Sequence, residues 1–190
     1  KVTTVAGVGR QGREPSLPGR FADPLKTALS SPWDLWVHDD SLYVAMAGTH
    51  QIWRMRLDRA AIDPYAGNGR EDIVDGPLLP PRPYQLGAAS FAQPSGLTSD
   101  GVWLYVADSE GSSIRAVPLD GRKPVRTLVG TAQLPAARLF TFGDQDGPPR
   151  QARLQHPLDV AIEGDKLYVA DTYNNKIKVV DPASGDTRTL

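Results

Sequence analysis

The chain contains no cysteine, 2 methionines and no long apolar run. Without cysteine it can form neither a disulfide framework nor a thiolate metal site. No segment approaches the roughly 20 apolar residues that a membrane-spanning helix needs. The formal net charge is -1, so bulk charge gives no reason to expect a nucleic acid or an anionic membrane as a partner. We therefore expect a soluble protein; the cytosol and the periplasm both fit, and the cytosol is preferred.

One sequence pattern occurs three times with the same internal spacing. The copies begin at Pro32, Pro94 and Pro157, so the period is 62 and then 63 residues. In each copy a Leu-Tyr-Val-Ala segment begins ten residues after the proline, and an isoleucine follows ten residues later. Self-similarity at such a period is typical of solenoids and propellers.

Each repeat offers four short apolar runs separated by Gly, Asp, Ser and Asn. Runs of about five residues rich in Val, Ile, Leu, Tyr and Trp favour antiparallel strands, and no stretch shows sustained helical periodicity. The fourth run recurs in phase at residues 4–7, 64–67 and 127–130, and 189–190 occupy the same phase. The sequence predicts an all-β chain, a β-propeller of three four-stranded antiparallel blades.

We assign residues 1–190 to a single propeller domain. Its repeat cores are 32–57, 94–119 and 157–182, and the long loops that connect an outer strand to the next inner strand are 7–32, 67–94 and 130–157. These loops, called connecting loops below, are much longer than the usual four to six residues.

The third copy, which runs from Leu167 to Val180 as LYVADTYNNKIKVV, resembles the NHL repeat, a WD40-like propeller unit. The stretches 93–97, 107–115 and 142–147 resemble a narrower NHL branch with bacterial members. That resemblance implies a six-bladed ring with a thioredoxin-like domain upstream. The first copy departs from the pattern, since Met46 stands where the others have Asp108 and Asp171.

Asp108 and Asp171 each follow a strand and precede Ser or Thr. This position suits an Asx-type turn, in which the carboxylate accepts backbone N–H groups. His50 aligns with Ser112 and Asn175. This is the position of the histidine in the Asn-His-Leu stretch after which the NHL repeat is named, so we interpret His50 as a turn residue. We assign these three residues structural rather than catalytic roles.

The sequence supplies no candidate catalytic, metal-binding or cofactor-binding residue. His38, His50 and His156 occupy different phases of the repeat, so repeat symmetry cannot gather them around one metal ion. Nucleophile-elbow, zinc-protease and phosphate-loop motifs are all missing. We expect no metal and no cofactor.

In an up-and-down blade, the connecting loops and the turn between the second and third strands emerge on one face, the long-loop face. Arginine and aromatic residues, which are typical of protein-binding hot spots, are frequent in these segments. The candidate ligand-binding residues are Arg10, Arg70, Tyr84, Phe142, Tyr173 and Asn174. The same face would gather Arg13, Arg20, Phe21, Glu110, Arg138, Phe140 and Arg150. Alternatively, the loops pack on one another to roof the blades, and the two roles are compatible.

The leading functional hypothesis is a non-catalytic scaffold that recognises a protein or peptide through the long-loop face. A second hypothesis is a propeller hydrolase or lyase whose active site is completed by blades outside this sequence. A third is an RNA-binding NHL domain, which would require a strongly basic face.

Three blades in an arc would expose two apolar flanks to water, which is rare on stable monomers. We expect either a homodimer that closes a six-bladed ring or further blades from the rest of a longer chain. A first residue of Lys rather than Met favours an excised segment.

Overall fold

A computed structural model, which describes residues 1–15, 19 and 21–190, contains three four-stranded antiparallel sheets. Each strand pairs with its neighbour in sequence, so every sheet is the meander predicted from one repeat, and the all-β class is confirmed. The only helical elements in the described ranges are 3-10 turns of 3 residues.

The strands of blade 1 are β1 (Pro32–His38), β2 (Ser41–Met46), β3 (Gln51–Arg56) and β4 (Ala61–Ala66). Those of blade 2 are β5 (Pro94–Ser99), β6 (Trp103–Asp108), β7 (Ser113–Pro118) and β8 (Arg126–Val129). Those of blade 3 are β9 (Pro157–Glu163), β10 (Lys166–Asp171), β11 (Lys176–Val180) and β12 (Thr187–Thr189).

The core lies in two junctions between adjacent blades. Because side chains alternate along a strand, the second strand of a blade directs every other side chain towards the following blade. Tyr43 of blade 1 meets Leu97 of blade 2 in the first junction. Tyr105 of blade 2 meets Val160 and Leu167 of blade 3 in the second. The tyrosines of the first two repeats therefore pack between blades.

The predicted burial of the second strands holds for most of blades 1 and 2 but only partly for blade 3. Tyr168 and Ala170 are half-buried in β10, whereas Leu167 and Val169 are buried. The difference follows from position, since the latter pair packs against blade 2. Tyr168 and Ala170 lie on the flank that no other blade of the described chain covers.

Residues 4–7 were expected to form an outer strand, and this expectation is wrong for the chain as it stands. They form no strand, and the N–H of Gly7 donates to the carbonyl of Pro24 instead. An outer strand needs a third strand beside it, and the described residues place no such strand next to this segment. Ala6 and Leu29 instead pack against apolar residues on the outer flank of blade 1.

Candidate functional site

The connecting loops run around the rim of the propeller before they reach the inner strands. Each loop makes a two-way backbone bridge with the outer edge of the blade that it leads into. The bridged pairs are Ala22 with Ile62, Gly76 with Val125, and Gly147 with Thr187. An unpaired outer strand is a template for aggregation. The loops thus protect the blade edges, in addition to any role on the long-loop face.

Two aspartates fix these rim bridges in blades 2 and 3. Asp75 accepts the backbone N–H of Thr127 at 3.1 Å and its hydroxyl at 2.7 Å. Asp146 accepts the same two groups of Thr189 at 2.8 and 3.0 Å. Blade 1 has Pro64 at this register position, opposite the third strand. Because proline has no N–H, the blade 1 bridge lacks this bond.

A buried arginine connects the rim to the interior of blade 2. Arg115 is fully buried, and its guanidinium donates to Asp108 at 3.2 Å and to Asp75 at 3.1 Å. It also donates to the carbonyl oxygens of Ser90 and Val74, at 2.8 and 2.9 Å. Arg115 therefore ties the connecting loop to the blade through both ion pairs and backbone contacts.

Lys178 occupies the equivalent place in blade 3. Its buried ammonium donates to Asp144 and Asp146, each at 2.7 Å. Burial alone would lower the pKa of Lys178, but the hydrogen bonds to the two carboxylates outweigh it and raise that pKa. In blade 1 this place is taken by Trp53, whose indole N–H donates to Gln51.

The carboxylates of Asp108 and Asp171 accept backbone N–H groups, but not within the turn that follows them. Asp108 accepts the N–H of Ala92, and Asp171 that of Gln155, each at 2.7 Å and 16 residues earlier in the chain. The Asx-type turn is thus replaced by a longer connection, which ties the end of the second strand to the chain that enters the same blade. Burial raises the pKa of Asp171.

His50 lies in a turn with a left-handed backbone (φ 53°), as do Ser112 (φ 44°) and Asn175 (φ 54°). His50 Nδ1 accepts the N–H of Gln93, at 3.2 Å, in the following blade. Its pKa is lowered by burial.

The bond made by His50 recurs at the second junction. Ser112 Oγ accepts the N–H of His156 at 3.2 Å. In both cases the donor immediately precedes a repeat proline. We call this recurrent hydrogen bond the inter-blade clasp.

Five of the six predicted ligand-binding residues fall into two clusters. Arg70 and Tyr84 line an open pocket of about 490 Å³ together with Arg13 and His50. The Tyr84 hydroxyl donates to Glu14 at 2.9 Å. Arg10 is exposed and does not line this pocket, and Arg20 lies outside the described residues.

The second cluster is an aromatic platform formed by Phe142, His156 and Tyr173. The Tyr173 ring stacks on His156 with centroids 4.3 Å apart, and Phe142 meets His156 edge-on at 5.9 Å. Tyr173 is 60% exposed and Phe142 44%. Glu110 Oε2 lies 3.2 Å from His156 Nε2. Phe140, on the same connecting loop, is more exposed still.

The turn that carries Tyr173 is tied to its surroundings. The Asn174 amide donates to the carbonyl of Gly143 and to Asp171, each at 2.8 Å. The Tyr173 N–H donates to the carbonyl of Gln155. The connecting loop and this turn therefore hold each other in place beneath the exposed rings.

A bidentate ion pair joins two connecting loops. Arg138 donates to the two carboxylate oxygens of Asp72 at 2.9 and 2.6 Å. The hydrogen bonds from Arg138 lower the pKa of Asp72, although burial opposes them. The loops 67–94 and 130–157 are thereby connected across the long-loop face.

We expect Asp72→Asn to lower the free energy of unfolding by about 1 kcal/mol at pH 7. Because the folded-state pKa of Asp72 is lowered, its contribution is complete above the ordinary carboxyl pKa of about 3.9. It is lost as the pH falls through the folded value, so the two proteins should converge in acid. Urea unfolding at a series of pH values measures this. Asp186→Asn, at an exposed carboxylate, is the control, and a difference that stays constant with pH would contradict the assignment.

Sequence reasoning missed the role of His156, because it considered this residue only as a metal ligand. A signal was available, since His156 precedes a repeat proline and is flanked by loops that contain Phe142 and Tyr173. The described residues contain no group of three or more His, Cys, Asp or Glu that could hold a metal ion. None of the helical segments that the structure describes could cross a membrane.

The NHL repeat family matches residues 154–180. NHL repeat-containing protein 2 of Bos taurus is 43% identical over 215 residues, a match that covers 100% of this chain and 28% of that protein. Protein SUPPRESSOR OF QUENCHING 1, chloroplastic, of Arabidopsis thaliana is 39% identical over 195 residues, covering 100% of this chain and 17% of that protein. The chain thus spans less than a third of the length of these relatives.

Two solved structures share the fold. An auxiliary nutrient binding protein from Bacteroides ovatus aligns with a TM-score of 0.63 and 20% identity, over 88% of this chain and 39% of that one. A streptogramin B lyase aligns with a TM-score of 0.54 and 13% identity, over 87% of this chain and 43% of that one. These likenesses show the fold alone. Together with the repeat pattern, they show three β-propeller blades, of which the third matches the NHL repeat. The chain is similar along its whole length to a part of NHL repeat-containing protein 2.

Proposed function

We propose that the chain is a non-catalytic binding scaffold that recognises a protein or peptide through its long-loop face, with the aromatic platform as the anchor. The observation that supports this most directly is the exposure of Tyr173 and Phe142, even though hydrogen bonds fix the backbone around them. Exposed apolar patches of this kind mark interaction sites. Tyrosine is among the residues that dominate binding energy in interfaces.

The platform favours a particular partner chemistry. A flat or proline side chain can stack on the open side of Tyr173, because His156 occupies the other side. Glu110 places a half-exposed carboxylate beside the same rings. We therefore propose a peptide segment that combines an aromatic or proline residue with an adjacent Lys or Arg.

The ties beneath the platform support recognition rather than mere packing of loops. Binding to a mobile loop is weakened by the conformational entropy that is lost when the loop becomes ordered. Here the Asn174 amide and the Arg138–Asp72 pair already order the segments around Phe142 and Tyr173. Because the relatives by fold include both a binding protein and a lyase, the proposal rests on this site and not on the fold.

Selection of a phage-displayed 12-mer peptide library against the chain tests the proposal. We expect enriched peptides with an aromatic or proline residue next to a basic one. Their affinity, measured by fluorescence polarisation, should fall about 10-fold for Tyr173→Ala, since truncating an interface anchor costs more than about 1 kcal/mol.

Two matched variants serve as controls. Val102→Ala changes an exposed residue in a blade 2 hairpin and should leave peptide affinity unchanged. Tyr84→Ala tests the other cluster on the long-loop face. Failure to enrich any peptide, or peptides that bind wild type and Tyr173→Ala equally well, would contradict the proposal. Loss of affinity only with Tyr84→Ala would move the site to the pocket that contains Arg70.

A further inference from the structure

The face opposite the long-loop face carries the short hairpins of the blades, and a pocket opens there between blades 1 and 2. Its volume is about 600 Å³, which lies within the range of small-molecule sites. Blade 1 contributes the turn between β1 and β2 and the end of β3, and blade 2 contributes the turns that follow β5 and β7. We call it the hairpin pocket. Its charged and titratable lining residues are His38, Asp39, Asp40, Arg54, Arg56 and Asp120.

The pocket exists because a small residue stands where the next blade has a large one. Ser41 begins the second strand of blade 1, and Trp103 begins that of blade 2. Trp103 packs against the core of the second junction, and Arg126 lies over its ring with Cζ 4.8 Å from the centroid. Arg126 also donates to the carbonyl of Pro182 in blade 3 at 3.3 Å. The tryptophan and the arginine thus cover the end of the second junction that serine leaves open in the first.

Blade 1 also has basic side chains where the other blades have none. Arg54 lies opposite the repeat tyrosine in the third strand, where the other blades have Ala116 and Val179. Arg56 occupies a position at which the other blades have a proline and an aspartate. His38 stands where they have an aspartate and a glutamate. Because the blade architecture does not require these three basic residues, they are specific to the pocket.

The two arginines lack hydrogen-bond acceptors. The Nε–H groups of Arg54 and Arg56 are buried and find no acceptor among the described residues. A terminal nitrogen of Arg54 lies 3.8 Å from Asp63, which is too far for a hydrogen bond. Arg56 donates to Asp58 at 3.2 Å. Neither aspartate lines the pocket. An oxyanion in the pocket would supply acceptors in the paired geometry that guanidinium groups favour.

The wall that carries the arginines is held in place before any ligand binds. The Arg54 guanidinium lies over the Tyr65 ring, with Cζ 5.0 Å from the centroid. The Tyr65 hydroxyl donates to the carbonyl of Pro118 at 2.6 Å and so joins the two blades beneath the pocket. Burial raises the pKa of Tyr43, although Arg54 opposes this. The Tyr43 hydroxyl therefore stays protonated and can donate a hydrogen bond to an anion.

The positive and negative groups of the pocket lie at different depths. The side chains of Arg54 and Arg56 are only 24% and 27% exposed. Asp40 and Asp120, which come from opposite walls, are exposed. Asp39 is exposed as well, but it lies 3.5 Å from His38 Nε2. A simple anion would meet repulsion from the outer carboxylates, whereas a ligand that also carries a positive charge matches both layers.

We propose that the hairpin pocket binds a small molecule that combines an oxyanion, either a carboxylate or a phosphate, with a cationic amine. The oxyanion accepts N–H groups of Arg54 and Arg56, and the amine lies between the carboxylates of Asp40 and Asp120. Amino acids and phosphorylated amines share this chemistry. The site lies on the face opposite the aromatic platform and does not depend on the proposed peptide binding there.

Titration of the isotope-labelled chain, followed by NMR of its arginine Nε–H and backbone amide signals, tests the proposal. The probes are γ-aminobutyrate for the carboxylate class and phosphoethanolamine for the phosphate class. We expect at least one of them to bind and to shift the signals of Arg54 and Gly101, and the one that binds more tightly identifies the class. Butyrate, methyl phosphate and ethylamine each carry only one of the two charges. They should bind about 10-fold more weakly or worse, because each lacks one set of charge-assisted contacts.

Variants of the lining residues locate the site. Arg54→Gln should lower the affinity for the bound probe about 10-fold or more, because it removes a charged, paired donor. Ser41→Trp should abolish binding by filling the pocket, and the fold should tolerate it because blade 2 has tryptophan at this position. Asp40→Asn combined with Asp120→Asn should weaken binding of the probe but not of its amine-free analogue. Arg82→Gln changes an exposed arginine outside the pocket and should bind like wild type.

Three results would overturn the proposal. The first is that neither probe binds. The second is that Arg54→Gln and Ser41→Trp bind the probe as tightly as wild type does. The third is that the amine-free analogue binds as tightly as the probe. Tyr173→Ala should keep full affinity for the probe, which separates this test from that of peptide binding.

Discussion

Tyr105→Asp is expected to lower the free energy of unfolding by about 4 kcal/mol or more, which is a large part of the stability of a domain this size. The Tyr105 ring is buried in the second junction, among residues of blades 2 and 3. The substitution would remove an aromatic side chain and place an unpaired carboxylate in an apolar core. Tyr105→Phe should cost only about 1 kcal/mol, because it removes just the hydrogen bond to Asp100.

Tyr168→Asp provides the comparison, because Tyr168 has the same place in its repeat but lies on an open flank. We expect a loss of about 1 kcal/mol or less in the monomer. Urea unfolding at dilutions where the chain is monomeric measures both variants. Equal losses for Tyr105→Asp and Tyr168→Asp would show that the blade 3 flank is as enclosed as the junction, contrary to the structure.

Arg115→Met is expected to destabilise the fold by about 3 to 5 kcal/mol at pH 8, because it leaves the carboxylate of Asp108 buried without a counter-charge. Asp108 is fully buried in the native protein. Burial raises its pKa to about 6, even though the charge of Arg115 and its hydrogen bonds act in the opposite direction.

This effect of Arg115→Met should depend on pH. A carboxyl group with a raised folded-state pKa destabilises the fold when it is ionised, and this cost disappears as the pH falls below that pKa. Without Arg115 the pKa of Asp108 rises further, so the variant should recover part of its stability between pH 8 and pH 5. Thermal or urea unfolding at both pH values measures this recovery.

Lys178→Met is the matched control, since Lys178 occupies the same place in blade 3. Its partners Asp144 and Asp146 remain in contact with solvent, so both carboxylates stay hydrated when the lysine is lost. We expect a cost of about 1 to 2 kcal/mol and no recovery at pH 5. An Arg115→Met loss that does not change with pH would refute the role assigned to Asp108.

The repeat pattern alone was sufficient to predict the blades, because a propeller blade is a local meander whose strands follow one another in sequence. Leu167 to Ala170 and its two equivalents carry enough apolar residues to specify a central strand. The same logic failed at residues 4–7, since a strand also needs a partner and the pattern does not show whether one is present. It failed for Tyr168 as well, because burial depends on the neighbouring blade.

The rim bridges could not be predicted from the sequence. Gly76 pairs with Val125, and Gly147 with Thr187, across the whole of a blade. Such contacts leave no periodic pattern in the sequence, because the bridging glycine does not lie at a fixed distance from the repeat proline. Gly76 lies farther from Pro94 than Gly147 lies from Pro157. The aromatic platform was predicted in part, since Phe142 and Tyr173 were named from their loop positions. The His156 ring contacts both of these aromatic rings. This contact depends on how blades 2 and 3 pack at the second junction, which the sequence pattern does not show.

The rim bridges also determine where the chain can be cut. A shortened chain that begins at Pro94 would keep all four strands of blade 2 yet lose Gly76, which caps the edge near Val125. The backbone N–H and C=O groups of its outer strand would then be unpaired and could bond to another copy of the shortened chain. We expect this pairing to cause aggregation. The smallest segment that can be duplicated or transferred without exposing an outer strand is therefore a blade together with the connecting loop that precedes it. A boundary drawn at the first strand of the blade would discard that loop.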